Sequence, residues 1–205
     1  MIVKGDLPPF ILVSVTGGRS FYGNQFEGRC QMRDFFFEEF MPFIETTYRV
    51  KAEARYRHLQ GMSAGGNGAM LYAILRPDLF GTVTAVAGAF DGVRVNAWAE
   101  MYNSKTENYA PDNPSVLIVQ HKARLGPLRI ALWIGSDDVT RGDNARFHQL
   151  LTRHDIPHVF NDAQSRPKLR GVTHDLAIYY QLYGDEILRF HGEAFRTEDS
   201  SPLAP

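Results

Sequence analysis

The 205-residue chain holds a single cysteine, Cys30, so no disulfide can close within it. That fits a reducing compartment. No stretch approaches the roughly 20 consecutive apolar residues of a membrane-spanning helix. The opening Met1-Ile2-Val3-Lys4-Gly5-Asp6 lacks the apolar centre of a signal peptide. A cytoplasmic location is the default expectation, with a signal peptide ahead of Met1 as the alternative. A charge excess of either sign is missing too. The 22 Lys and Arg against 23 Asp and Glu leave a net charge of −1, which offers no field for nucleic acid or an anionic membrane. There is no internal repeat and no low-complexity tract.

What remains is ordinary globular material, with 44% hydrophobic residues, enough for a core. One domain is expected over residues 1–192. Residues 193–205, polar and rich in Ser and Pro, are expected to form a frayed tail.

The stretch that organises the chain is Gly61-Met62-Ser63-Ala64-Gly65-Gly66. It has the G-x-S-x-G form of a nucleophile elbow, a strand-to-helix turn that lifts a serine hydroxyl clear of the sheet. Side chains two before and two after the serine are expected to collide, which accounts for glycine at 61 and 65. The pattern alone is weak, and its surroundings strengthen it. Arg55–Gln60 reads as a short strand running into the turn, and Gly68–Leu75 reads as a helix stopped by Pro77.

Elsewhere, Phe10–Val15 is an apolar run between Pro8-Pro9 and Gly17-Gly18, and it reads as a buried parallel strand. Asp34 is placed to cap a helix reaching about Tyr48, kinked by Pro42; its many phenylalanines read as a core face rather than a cofactor pocket. Thr82–Ala87, Arg129–Ile134 and Ile156–Phe160 read as strands. Ser115–His121, Asp143–Arg153 and Leu176–Phe190 read as helices. Residues 88–114 have no clean period and suggest an excursion over the site. Strand and helix alternate, so the expected fold is α/β, a mostly parallel sheet with helices on both faces.

On that plan three loops leave the carboxyl edge of the sheet, carrying Ser63, then Asp137-Asp138, then His174. A serine hydroxyl needs a base within reach, and the base needs a carboxylate to fix its tautomer and balance its charge. Ser63, Asp138 and His174 fit these roles, in the chain order α/β-hydrolases use. Asp138 is preferred as the acid; Asp137 and Asp91 stay open as alternatives. His58 reads as a buried neutral histidine, and His121, His148 and His191 as surface or packing residues. His154 and His158 have the four-residue spacing of helical metal ligands, but Pro157 breaks any such helix. No metal and no cofactor is expected.

With these pieces in place the chain resembles a branch of the α/β-hydrolases that holds feruloyl and acetylxylan esterases, S-formylglutathione hydrolases, enterochelin-type esterases and mycolyltransferases. The matching segments include Pro8–Val13, Gly18–Tyr22, Phe36–Glu45, the elbow, Arg76–Gly81 and Gly135–Asp138, with His174 before the last helix. The resemblance implies Ser63 as nucleophile, Asp138 as acid, His174 as base and the Ala64 N–H as one oxyanion donor. It also implies a departure. Phe10–Val15 resembles the family's fourth strand, so the strands that precede it in the family are expected to be absent. The loop that carries the second oxyanion donor would be absent with them.

The leading expectation is a serine carboxylic-ester hydrolase working through an acyl-enzyme on a small-molecule or carbohydrate-linked ester. One alternative is a shortened, weakly active or inactive remnant that serves as a binding module. Another is an acyltransferase using the same triad. A sheet of five or six strands is expected, with Phe10–Val15 at or near an unprotected edge through which the chain could self-associate.

Overall fold

The computed structural model describes residues 1–25, 28, 30–90 and 110–195. Its frame is a parallel sheet of four strands, β1 (His58–Met62), β2 (Thr82–Val86), β3 (Arg129–Trp133) and β4 (Val159–Asn161), in the spatial order β1-β2-β3-β4. Chain order and spatial order coincide, so every crossover returns to the next position and all carboxyl ends share one edge.

Side-chain alternation divides the two faces. Leu59, Val83, Ala85, Ile130 and Leu132 turn to the larger core, with α3 (Ala64–Leu75), α4 (Pro114–Gln120) and α5 (Arg141–Arg153). The intervening positions turn to α6 (Leu176–Ala194), where Val86 and Trp133 pack with Tyr179, Tyr183 and Ile187. The α3 helix is buried from Gly66 through Ile74, so it carries no polar face.

The phenylalanine-rich helix forms in three pieces: α1 (Met32–Phe35), a π-helical stretch over Phe36–Phe40, and α2 (Met41–Thr47). Pro42 is the cause. It has no N–H to donate, and its ring crowds the carbonyl one turn back. The helix widens just ahead of it, so that the Met41 N–H reaches back five residues to Phe36 O. Phe36 stacks on Tyr72 of α3 at 4.3 Å between centroids, and Phe37 meets the same ring edge-on. The aromatic face is therefore core.

Two expectations are corrected. Phe10–Val15 is not a strand, and the described residues hold four strands rather than five or six. The segment has the composition of a buried strand, but a strand is made by the neighbour that accepts its hydrogen bonds. No described strand pairs with it, and it runs as irregular chain with Leu12 84% and Ile11 49% exposed. Among the described strands the sheet has two unpaired edges: β1, whose one described partner is β2, and the short β4, whose one described partner is β3.

The other elements shift at their ends. The elbow strand begins at His58 because Ala54–Tyr56 turns as a short 3₁₀ helix. The last helix continues beyond Phe190 to Ala194, where Glu193 accepts a 2.6 Å hydrogen bond from Arg129. Residues 196–205 of the expected tail, and residues 91–109 of the expected excursion, lie outside the described residues.

The face toward α6 carries a buried polar chain. His58 Nδ1 lies 2.8 Å from the Thr82 hydroxyl, which lies 2.5 Å from His191 Nδ1. His191 Nε2 reaches Gln60 Oε1 at 3.1 Å, and the Gln60 amide donates to the Tyr180 hydroxyl. Burial pushes His58 down to about 4 and His191 down to about 3, with the Arg129 charge adding to both. His58 is thus a neutral histidine, as the sequence suggested, but half-buried rather than fully enclosed; His191 is the buried one.

Candidate active site

Ser63 sits between β1 and α3 with φ 55° and ψ −120°, a backbone region that costs a non-glycine residue about 1–3 kcal/mol. Three main-chain bonds hold it there. Its N–H donates to Val86 O at 3.0 Å, and its carbonyl accepts from Asn67 N at 3.1 Å and Ala89 N at 3.0 Å. The sheet and the helix together impose the turn.

Packing around the elbow explains one of the two motif glycines. A Cβ on Gly61 would stand 2.1 Å from Gly65 O, so no side chain fits. The expectation fails at Gly65 itself. A Cβ there would meet nothing closer than the Tyr22 hydroxyl at 3.7 Å, because the start of α3 turns that position away from β1. The tight contacts fall later in α3. At Gly66 a Cβ would lie 3.0 Å from Gly88 Cα, and at Gly68 it would lie 2.4 Å from the Tyr22 ring. Phe21 and Tyr22 both take positive φ, 51° and 69°, so the loop after Gly17-Gly18 is strained where Tyr22 lies on α3.

Ala64 opens α3. Its N–H is among the first four of the helix, which have no partner within it and point toward the positive end of the helix dipole. The loop at Gly17-Gly18 supplies no matching donor from Gly18, whose N–H is turned to Thr16 Oγ1 at 3.3 Å.

The turn after β3 brings Asp138 to His174. His174 Nδ1 lies 2.9 Å and 3.0 Å from the two carboxylate oxygens. Asp138 is 5% exposed, and its carboxylate accepts three more hydrogen bonds: from Thr140 N–H at 2.8 Å, Thr140 Oγ1 at 2.8 Å and Tyr179 O–H at 2.8 Å. A carboxylate only accepts, so His174 must carry its proton on Nδ1. In the neutral ring Nε2 is then a bare lone pair. Tyr179 spends its one proton on Asp138 and accepts from Gly135 N–H at 2.7 Å. Burial, with the Asp138 carboxylate adding to it, pushes the Tyr179 phenol above the ordinary tyrosine value.

His174 stands one residue ahead of the cap of α6. Asp175 accepts from Ala177 N at 2.8 Å and Ile178 N at 3.3 Å, which fixes where the loop becomes helix. Asp137 is exposed and accepts from Ser136 Oγ at 2.6 Å, whereas the carboxylate bonded to His174 is that of Asp138. Asp91 lies outside the described residues.

Sequence reasoning missed three supporting residues. Thr140 and Tyr179 hold the Asp138 carboxylate. Asn144 of α5 ties that turn to the loop after β2, donating to Gly88 O at 2.9 Å and Thr140 O at 2.9 Å. Thr140 stood two residues from an aspartate, a common local bonding pattern. Tyr179 gave no local signal.

The family model described as "Putative esterase" matches residues 7–186. The chain belongs to this esterase family. It is a carboxylic-ester hydrolase by class, on the α/β-hydrolase fold. Solved structures resembling this esterase include a ferulic acid esterase at 22% identity and TM-score 0.72, over 95% of this chain and 74% of that one. The fluorophosphonate-binding serine hydrolase F of Staphylococcus aureus matches at 18% identity and TM-score 0.69, over 86% of this chain and 68% of that one. An S-formylglutathione hydrolase from Agrobacterium tumefaciens matches at 20% identity and TM-score 0.66, over 85% of this esterase and 62% of its own length. No curated protein matches the chain.

Proposed function

We propose that the esterase works through Ser63, His174 and Asp138. The observation that carries this reading is the pairing of His174 Nδ1 with the buried Asp138 carboxylate, which leaves Nε2 as the ring's one basic site. Ser63 Oγ attacks the ester carbonyl carbon and its proton passes to His174 Nε2. The carbonyl electron pair becomes an oxyanion, which the Ala64 N–H faces at the head of α3. As the oxyanion collapses, the alcohol leaves with the proton from Nε2, and an acyl-Ser63 ester remains. Water then gives a proton to Nε2 and attacks the acyl carbon. The acid departs, and Ser63 regains its proton. Asp138 balances the imidazolium in both halves.

The substrate is a carboxylic or thiol ester. The names of the structural neighbours, a ferulic acid esterase and an S-formylglutathione hydrolase, set the classes to screen first. No cofactor enters the cycle. Transfer of the acyl group to an alcohol other than water uses the same residues, and product analysis with added acceptor alcohols separates the two.

A second reading is a weak hydrolase. Its support is the Gly18 N–H turned to Thr16 and the unpaired edge of β1, which together leave Ala64 as the one oxyanion donor this reading assigns. One donor fewer typically lowers kcat by about 10²–10³.

The test is covalent labelling by a fluorophosphonate probe, with the site mapped by peptide mass. Adduct on Ser63, lost in Ser63→Ala and slowed in His174→Ala, is the expected result. Adduct on another serine, or equal labelling of the Ser63→Ala protein, refutes the assignment.

A further inference from the structure

Outside the Ser63 site, the chain holds a cleft of about 440 Å³ between the carboxyl ends of β3 and β4 and the start of α5. That volume suits a small organic ligand. One wall is Gly135-Ser136, the far side of the turn that carries Asp138. In sheet order Ser63 stands two strands away, about 9–10 Å at ordinary strand spacing.

The cleft joins two kinds of surface. Ile134, Ala145, Phe160 and Ala163 give it an apolar floor. Arg141 and Arg170 stand at it from two different elements. Among the described residues neither guanidinium has an ion pair or a side-chain hydrogen bond, whereas Arg33, Arg57, Arg76, Arg129, Arg166 and Arg189 each have a carboxylate. Asp162 also lines the cleft, but its carboxylate is engaged by its own turn. It accepts from Gln164 N at 3.0 Å, Ser165 N at 3.0 Å and Ser165 Oγ at 3.2 Å, and its pKa is lowered. Two exposed arginines therefore line the cleft beside one carboxylate that is already satisfied.

A guanidinium is a rigid planar fork that matches a carboxylate with two parallel hydrogen bonds. Two such forks above an apolar floor suit a ligand with an anionic head and an apolar body. We propose that this cleft is a second binding site, separate from the Ser63 site, for a monocarboxylate carrying an apolar group, held by Arg141 and Arg170. The acids released by ester hydrolysis have this chemistry. The cleft shares the 135–138 turn with the proposed acid, so an occupant would touch the back of that turn. Binding requires no turnover, so the proposal stands or falls independently of the role given to Ser63.

The test is calorimetric titration of the whole chain with 3-phenylpropanoate, and with its neutral amide and inorganic phosphate as separate arms. The acid is expected to bind at least tenfold more tightly than the amide, which lacks the charge, and than phosphate, which lacks the apolar body. Arg141→Gln and Arg170→Gln should each weaken it tenfold or more, while Arg→Lys at either position should retain part of the affinity. Amide-proton shifts in the unsubstituted protein should map to Gly135, Ser136 and Gln164, which locates the ligand even if a variant misfolds. Equal affinity in both Gln variants, shifts confined to Ser63 and His174, or phosphate binding as tightly as the acid would overturn the proposal.

Discussion

Tyr179 donates its hydroxyl to Asp138 across 2.8 Å from the first turns of α6, the helix whose entry loop holds His174. The proposed acid and base are thus positioned by one element, His174 at its threshold and Asp138 through a phenol five residues on. Tyr179→Phe removes one of the four donor groups on a buried carboxylate and leaves Gly135 N–H without its acceptor. We expect a loss of stability of about 1–3 kcal/mol and a drop in kcat with little change in KM. Unchanged kcat with lowered Tm would make Tyr179 purely structural.

Asp138→Asn should lower kcat by about 10⁴, since the amide can donate to Nδ1 and favour the wrong tautomer. Asp137→Asn should stay within about threefold of the parent, because its partner is Ser136 and not His174. Steady-state kinetics on an activated acetate ester ranks the two. The reverse ranking would transfer the role to Asp137.

His58 and His191 are held neutral in the fold, with values depressed to about 4 and about 3. The unfolded chain takes up protons near pH 6.5 that the folded chain refuses until pH 4 or below. Their contribution is intact above pH 6.5 and declines as pH falls through the window from 6.5 to about 3, where the unfolded chain binds more protons than the folded one. Denaturant titrations across this window should show stability rising with pH. The slope should be shallower in a His58→Gln/His191→Gln double variant. An identical slope would mean the two rings do not carry the effect.

The elbow glycines should behave unequally. Gly61→Ala drives a Cβ to 2.1 Å from Gly65 O and should abolish soluble protein, or lower Tm by many degrees. Gly65→Ala places its Cβ at 3.7 Å from the nearest atom, inside a helix, and should leave Tm unchanged or slightly higher. Thermal melts decide it, and a larger loss at Gly65 would contradict the packing described.

Phe10, Ile11, Leu12 and Val13 are all exposed, and β1 has an unpaired edge. Light scattering after gel filtration should show concentration-dependent self-association, reduced by Leu12→Lys without loss of Tm. A monodisperse monomer at all concentrations would remove the edge as an association surface.

Most of the architecture from β1 onward was legible because parallel strands and helices leave local signals. Thr82–Val86 is a β-branched run, and the elbow has its own motif. Phe10–Val15 was misread because the property that matters there is not local: an apolar run becomes a strand when another strand accepts its hydrogen bonds. The choice between Asp137 and Asp138 was open for a related reason. The two are adjacent in the chain, and what separates them is Tyr179 and His174, some 40 positions away. Gly65 was misread because the motif suggests symmetry about Ser63, whereas a strand precedes the serine and a helix follows it.

The far end of α6 has a consequence for how the molecule comes apart. Phe195, just past the helix, stacks on Tyr56 and meets His58 edge-on at the start of β1, the strand that ends at Ser63. The helix spans about 28 Å at 1.5 Å per residue. It therefore links distant parts of the fold in series: from Ser63 back along β1 to His58, across to Phe195, and along α6 to the loop that holds His174. Peeling the last turn of α6 loosens the same strand that presents the serine, so heating should remove probe labelling and helical signal in one step. Trimming the chain from its C-terminus into this helix should be felt at the opposite edge of the sheet.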